Sequence, residues 1–170
     1  CYHEKMHPAG ACRMCLVEVE GARGLQTACT VPCTEGMVVR TNTPTVREAR
    51  KLVLELLLSD HNIECPTCLR ASNCELMQLA HDHGVSQIPL QGAHHEAHLD
   101  VGSGAIAVDS SKCVLCQRCV AVCREVQGVS AISVTGRGFE SRVSPFFDVS
   151  LSEAACALCG QCTLVCPTGA

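Results

Sequence analysis

Short runs near the start of the chain alternate between apolar and polar positions. Leu16 to Glu20 alternates, Gly21 to Gly24 provides a turn, and Leu25 to Cys29 runs back. Two alternating runs joined by a short loop that contains glycine predict a β-hairpin. We therefore expect a small sheet before about residue 40.

Helical spacing replaces this alternation further along the chain. Apolar side chains recur at intervals of three and four residues from Val46 to Leu58, which predicts an amphipathic helix. Pro44 precedes Thr45 and Glu48, whose spacing predicts a capping box at the start of this helix. The helix is expected to end just before His61.

Less regular patterns predict the remaining elements. A second helix is expected from about Cys74 to His83, with Gly84 at its C-terminal cap. Residues 87–109 have little periodicity and contain three Gly and three His, which predicts a linker. A helix over residues 117–127 and a strand over residues 131–134 are expected beyond it.

Cysteine content changes this picture. The 170-residue chain has 16 Cys, a formal net charge of −4, four aromatic residues of the Tyr and Phe types, and no Trp. A secreted disulfide scaffold could use so many cysteines, but fifteen of them fall into four sets with the close spacing of metal ligands. Metal-binding thiols imply a reducing compartment, so a cytoplasmic location is expected. The negative charge and scarce aromatics argue against nucleic acid, and no apolar run reaches the roughly 20 residues of a membrane span.

The last third of the chain contains one motif twice, CxxCxxCxxxC. This spacing is typical of bacterial ferredoxins with two [4Fe-4S] clusters, in which the fourth cysteine of each run ligates the other cluster. We therefore predict two neighbouring [4Fe-4S] clusters, held by the first copy (Cys113–Cys123) and the second copy (Cys156–Cys166). The predicted ligands of one cluster are Cys113, Cys116, Cys119 and Cys166, and those of the other are Cys156, Cys159, Cys162 and Cys123.

A different set of cysteines, here called the front set, opens the chain. Its members are Cys1, Cys12, Cys15 and Cys29. They are separated by 10, 2 and 13 residues, which can hold a [2Fe-2S] cluster although the spacing is not the plant type. A structural zinc ion is the alternative. Cys33 could replace Cys29 as a ligand, but Cys29 is favoured, and Cys33 is then expected to be an ordinary small buried residue.

One imidazole joins three thiols in the remaining set, here called the imidazole set. Its members are His61, Cys65, Cys68 and Cys74. Zinc accepts this combination readily, so the motif alone leaves zinc and an iron-sulfur cluster open. Its place between two cluster regions favours a [4Fe-4S] cluster. Three further histidines, His94, His95 and His98, lie in the predicted linker and are expected to be solvated rather than metal-bound.

The four sets in this order resemble the N-terminal electron-transfer region of multi-cluster [FeFe]-hydrogenases. The resemblance covers nearly the whole chain and includes more than the ligands. It rests on ACRMCLVEVEG at 11–21, EGMVV at 35–39, NCEL at 73–76, GRGFE at 136–140 and CPTGA at 166–170. The arrangement is also similar to parts of the large iron-sulfur subunit of complex I, of the diaphorase subunit of NAD-linked [NiFe]-hydrogenases and of NAD-dependent formate dehydrogenases.

This resemblance implies an α+β fold with three domains. Residues 1–43 would form a β-grasp [2Fe-2S] ferredoxin-like domain, and residues 44–86 a small helical domain with a His-ligated [4Fe-4S] cluster. A linker over residues 87–108 would lead to a bacterial two-[4Fe-4S] ferredoxin-like domain over residues 109–170. Family members normally have further strands before the first ligand, so the first domain is expected to be truncated and the chain to be a fragment.

The resemblance also implies a function. One [2Fe-2S] and three [4Fe-4S] clusters would relay electrons to or from an [FeFe]-hydrogenase site coupled to NAD(P)H or ferredoxin. The alternatives are a part of a formate dehydrogenase or of a [NiFe]-hydrogenase diaphorase, and a zinc-stapled interaction module. Expected partners, within a multi-subunit complex, are a hydrogen-activating domain or subunit and either a flavin-containing subunit that oxidises NAD(P)H or a ferredoxin. No residue of the chain can be identified from the sequence as an acid, base or nucleophile for hydrogen chemistry, and no glycine-rich nucleotide-binding motif is found.

Overall fold

A computed structural model describes the whole chain, from Cys1 to Ala170. It is an α+β structure with three small antiparallel sheets. The strands and α-helices are β1 Leu16–Val19, β2 Gln26–Thr27, β3 Val39–Arg40, α1 Pro44–Ser59, α2 Glu75–Asp82, β4 Leu99–Asp100, β5 Val108–Asp109, α3 Arg118–Ala121, β6 Ile132–Thr135, β7 Arg142–Pro145 and α4 Gln161–Val165. None of the helices has the length and apolar character needed to cross a membrane.

The predicted hairpin at the front of the chain is confirmed. Strands β1 and β2 pair antiparallel, with Leu16 opposite Thr27. Strand β3 pairs with the other edge of β1, with Val19 opposite Val39, and completes a sheet of order β2-β1-β3. Val17 is buried while its neighbours are partly exposed, as expected for a sheet with one covered face.

Helix α1 confirms the first predicted helix but not its cap. The Oγ1 of Thr43 accepts a hydrogen bond from the N–H of Val46 at 3.2 Å, so Thr43 is the N-cap. Pro44 follows it at the start of the helix, where its missing N–H costs nothing. The predicted capping box at Thr45 is wrong because that residue already lies inside the helix. Val46 and Leu54 are fully buried and form the apolar stripe of α1.

The second predicted helix is confirmed to within one residue at each end. Helix α2 begins after Cys74, and Gly84 lies just beyond its end in the left-handed region, at φ +64°. The predicted linker is wrong in its last part, where β4 and β5 form a two-residue antiparallel pair. The Asp100 carboxylate anchors this pair by accepting from the N–H of Leu151 at 2.6 Å. Strands of two residues are too short to show periodicity.

The last third consists of the two helices α3 and α4 and the β6–β7 hairpin. The strand predicted over residues 131–134 is confirmed as β6, in which Val134 lies opposite Val143 of β7. The helix predicted over residues 117–127 is confirmed to within one residue at each end, but only Arg118–Ala121 is α-helical and Val122–Val126 is π-helical. Helices α3 and α4, one within each motif copy, pack against each other.

The apolar core is small for a chain of this length. Only 16 of the 170 residues are buried, whereas a domain of about this size normally buries most of its apolar surface. The main cluster joins Met6 at the front of the chain to Ala121 and Val122, with Val165 of α4 packed against it. The front of the chain therefore packs directly on the last third.

Candidate metal centres

One cavity in the last third of the chain brings together all eight cysteines of the duplicated motif. It lies between α3, α4 and the β6–β7 hairpin, and much of its wall is apolar. Ile106, Ile132 and Leu151 are among the apolar side chains that line it. The thiols in its wall are Cys113, Cys116, Cys119, Cys123, Cys156, Cys159, Cys162 and Cys166.

Electrostatic interactions show which of these thiols lie near one another. Cys166 of the second copy lies close enough to influence Cys113, Cys116 and Cys119 of the first copy. In the second copy, Cys156 and Cys159 influence Cys162 in the same way. The exchange of the fourth cysteine between copies, which the motif predicts, is thus compatible with the fold for Cys166.

Both motif copies use the same unusual backbone geometry. Leu115 and Leu158 occupy equivalent positions and have left-handed φ angles of 49° and 50°. Their N–H groups donate to the sulfur atoms of Cys113 and Cys156, both at 3.4 Å. A left-handed conformation costs a residue with a side chain about 1 kcal/mol, and here it points backbone N–H groups at the sulfurs of the first cysteine in each copy. These leucines were not predicted from the sequence, although their recurrence at one position in both copies was a signal.

Burial makes these thiols poor acids in the absence of metal. Burial raises the pKa of Cys113 to about 11, and it also raises the pKa values of Cys116, Cys119 and Cys162. A buried thiolate without a counterion is unfavourable. Iron at these sites would therefore replace protons, and binding would release them.

The front set lines a second pocket. The pocket contains Cys1, Cys12, Cys15 and Cys29. Burial, followed by a hydrogen bond with Cys15, raises the pKa of Cys29. Cys33 does not line this pocket and is exposed. The expectation that Cys33 is a small buried residue is therefore wrong, because the loop after β2 carries it to the surface.

The pocket of the front set also borders the last third of the chain. Cys116 and Arg118 of the first copy contribute to its wall, together with Pro167 and Thr168. Leu76 of α2 is buried beside it. The front set and the first motif copy are therefore neighbours across one shared wall.

The His61 side chain of the imidazole set has the properties of a residue that can bind a metal. Its Nδ1 is buried and has no hydrogen-bond partner. Burial, assisted by the positive charge of Lys112, lowers the pKa of His61, so the ring is neutral at pH 7. A neutral imidazole with an unpaired nitrogen is the form that binds metals. Cys65, Cys68 and Cys74 are partly buried nearby in sequence.

Close backbone contacts join the imidazole set to the last third. The N–H of Asn62 donates to the carbonyl of Ser111 at 2.9 Å. A Cβ atom at Gly169 would lie 2.5 Å from the Sγ of Cys68, so only glycine fits there. Arg70 reaches across to donate to the carbonyl of Cys166. The imidazole set is thus held against the segment that carries the fourth cysteine of the second copy.

His95 corrects the expectation of a solvated linker. Its ring stacks on Phe139 with centroids 4.2 Å apart and 12° between the planes. Its N–H donates to the Asp60 carboxylate at 2.8 Å, and its imidazole also bonds this carboxylate. His95 is therefore a packed residue, and its bonds to Asp60 attach this part of the chain next to His61. Neither partner could be recognised from local sequence.

The residues fit iron-sulfur clusters. All sixteen cysteines are free thiols, and sulfur with one imidazole is the donor set that such clusters use. The buried unpaired nitrogen of His61 and the cavity wall of eight thiols are the structural observations that agree with this chemistry. No group of three or more His, Cys, Asp or Glu side chains is placed to hold a single metal ion.

Three known families match successive parts of the chain. Residues 1–44 match a 2Fe-2S iron-sulfur cluster binding domain. Residues 50–89 match the NADH-ubiquinone oxidoreductase-G iron-sulfur binding region. Residues 103–170 match the ferredoxin-like domain of NADH-quinone oxidoreductase subunit 3. The α+β fold therefore contains ferredoxin-like 2Fe-2S and 4Fe-4S domains.

Individual relatives agree with these matches. The chain is 44% identical over 162 residues to the NADP-reducing hydrogenase subunit HndD of Solidesulfovibrio fructosivorans, covering 95% of this chain and 28% of the relative. It is 35% identical over 176 residues to the mitochondrial NADH-ubiquinone oxidoreductase 78 kDa subunit of Neurospora crassa, covering 100% of this chain and 23% of the relative.

A solved structure shares the fold over the full length. In the crystal structure of an NAD⁺-reducing [NiFe]-hydrogenase in its H2-reduced state, one chain superposes with a TM-score of 0.92 at 30% identity. The match covers 100% of this chain and 72% of that one. This chain thus spans only about a quarter of the length of the two curated relatives, but most of the length of the hydrogenase chain of known structure. It belongs to the family of iron-sulfur regions found in NADH-quinone oxidoreductases and in NAD(P)-linked hydrogenases.

Proposed function

We propose that the chain relays single electrons between an NAD(P)H-linked redox partner and the catalytic part of a hydrogenase. The observation that carries this proposal is the convergence of the ligand sets. The front set shares a pocket wall with Cys116, and Arg70, two residues beyond Cys68 of the imidazole set, donates to the carbonyl of Cys166. The rate of electron transfer falls steeply with distance. Ligand sets that lie next to each other are therefore suited to a relay.

The relatives favour one of the partners expected from the sequence. An NADP-reducing hydrogenase subunit and an NAD⁺-reducing [NiFe]-hydrogenase are both similar over nearly the whole chain. They support the diaphorase type of partner over the [FeFe]-hydrogenase expected first, and the NADH-ubiquinone oxidoreductase relative supports a complex I type. The relay would then belong to a multi-subunit NAD(P)-linked assembly.

We further propose one [2Fe-2S] and three [4Fe-4S] clusters, which supply one-electron redox chemistry when bound. The front set would hold the [2Fe-2S] cluster, and the imidazole set and the two motif copies would hold one [4Fe-4S] cluster each. The ligands would be Cys1, Cys12, Cys15 and Cys29; His61, Cys65, Cys68 and Cys74; Cys113, Cys116, Cys119 and Cys166; and Cys156, Cys159, Cys162 and Cys123. Residues 1–43, 44–86 and 109–170 are the proposed domains, to which β4 and β5 add a short extension of the last.

The other residues of the chain would tune these sites. Backbone N–H groups at Leu115 and Leu158 donate to ligand sulfurs and so stabilise negative charge there. Apolar side chains such as Ile106 and Leu151 keep water from the large cavity. Rigid attachment of the sets to one another holds their spacing. These are the tasks of a protein that carries a redox cofactor.

The iron and acid-labile sulfide content of the anaerobically purified protein tests this proposal. One [2Fe-2S] and three [4Fe-4S] clusters predict about 14 of each per chain. The variant Cys33→Ala should contain the same amount, because Cys33 is exposed and lies outside the pocket of the front set. A content near 8 with bound zinc would confine the relay to the last third and contradict the proposal for the front of the chain.

Replacing His61 with Cys is expected to lower the reduction potential of the cluster in the imidazole set. A thiolate adds a negative charge where a neutral imidazole stood, which destabilises the reduced state. Rieske centres, which have imidazole ligands, lie at least about 200 mV above plant-type ferredoxins, so a single exchange should lower the potential by on the order of 100 mV. An EPR-monitored redox titration measures this shift, and an unchanged titration with full iron content would remove His61 from the ligands.

A further inference from the structure

Arg118 lies between two ligand sets without belonging to either. It is the first residue of α3 and lines the pocket of the front set. Its side chain is only 14% exposed. Cys116 of the first copy and Cys12 of the front set are both close enough to act electrostatically on its guanidinium. One largely buried positive charge is therefore shared by two thiol sites.

Glu75 holds this guanidinium in place. Nη1 and Nη2 of Arg118 donate to the two carboxylate oxygens of Glu75, at 2.5 and 2.9 Å. This hydrogen bonding raises the pKa of Arg118 and lowers the pKa of Glu75, so both groups are charged. The Glu75 side chain is 50% exposed. The ion pair thus holds the guanidinium at the wall of the front-set pocket, which both side chains line.

One donor of Arg118 is left without an acceptor. Its Nε is buried and has no hydrogen-bond partner. Leaving a buried donor unpaired is unfavourable, so its presence beside a pocket of thiols indicates that an acceptor binds there. Sulfur in a bound cluster is an acceptor of this kind. The position of Arg118 in the wall of a thiol pocket and its unpaired donor are two separate observations that point to a negatively charged group beyond Glu75.

Resting on the cluster function proposed above, we propose that Arg118 sets the reduction potentials of the clusters in the front set and in the first motif copy. A reduced cluster carries one more negative charge than the oxidised cluster, so a nearby positive charge favours reduction. Both potentials rise together, and the electron passes between two sites that share the same stabilising charge. Glu75 moderates this effect by partly neutralising the guanidinium.

Two substitutions that break the same ion pair separate this role from a structural one. In the cluster-loaded protein, Arg118→Gln removes the positive charge and should lower both potentials. Glu75→Gln leaves the guanidinium uncompensated and should raise them. An EPR-monitored redox titration of each variant measures the shifts. If the ion pair served only to hold the fold, both variants would lose iron or shift the potentials in the same direction, and either result would overturn the proposal.

Further variants separate the effect of charge from that of shape. Arg118→Lys keeps the charge without the two-pronged contact, and its potentials should stay closer to those of the unchanged protein than to those of Arg118→Gln. Arg47→Gln removes an exposed charge on α1 that bonds Asn42, and it should shift neither potential. Unshifted potentials in Arg118→Gln and Glu75→Gln with full iron content would also overturn the proposal. Absence of iron from the unchanged protein would instead overturn the cluster function itself.

Discussion

Replacing Cys119 with Ala is expected to abolish electron transfer across the last third of the chain. Cys119 lies in the shared cavity, and its pKa is raised by burial and by the nearby thiols of Cys113, Cys116 and Cys166. Cys162 of the second copy also acts on it. Loss of this thiol would remove a proposed ligand at the point where the two motif copies meet. Iron content should fall from about 14 to about 10 per chain.

Electron transfer through the variant can be measured in the assembled complex, from NAD(P)H to an acceptor of the catalytic part. Oxidation of NADH by the proposed flavin-containing partner, followed with an artificial acceptor, should remain. Cys33→Ala is the matched control, since it removes an exposed thiol and should leave both activities unchanged. Full transfer through the Cys119→Ala protein would contradict the proposed path.

Removing iron is expected to abolish the cooperative thermal unfolding of the last third. Only 16 residues of the chain are buried, and the interior of the last third is a cavity walled by eight thiols. Without bound clusters this cavity has no interior contacts to offset the entropy of ordering the chain, and ligand binding becomes part of the folding free energy. Circular dichroism melts and limited proteolysis of chelated protein measure the change.

Reconstitution with iron and sulfide should restore the unfolding transition and the resistance to protease. The same treatment with zinc alone provides the comparison, because it supplies a metal without inorganic sulfide. A chelated protein that still unfolds sharply, at the temperature of the iron-loaded protein, would show that the side chains suffice for the fold. That result would contradict the structural role assigned to the clusters.

Elements with local causes could be predicted from the sequence. The hairpin of β1 and β2, the helix α1 and the strand β6 follow from apolar periodicity within a few residues. The prediction of a capping box at Thr45 failed because a threonine stands on each side of Pro44, and the helix begins at the proline, with its cap two positions earlier at Thr43. The β4–β5 pair was missed because a strand of two residues is too short to show an alternation of apolar and polar positions.

The sequence by itself determined the spacing from which the four thiol sets are predicted, because spacing is a property of the local chain. Only the tertiary structure decided what surrounds those sets. Arg118 meets Glu75 across 43 positions and His95 meets Asp60 across 35. Tertiary packing also placed Cys33 at the surface and Cys29 in the pocket of the front set. Such contacts depend on how separate segments pack, and periodicity and spacing report only on neighbours along the chain.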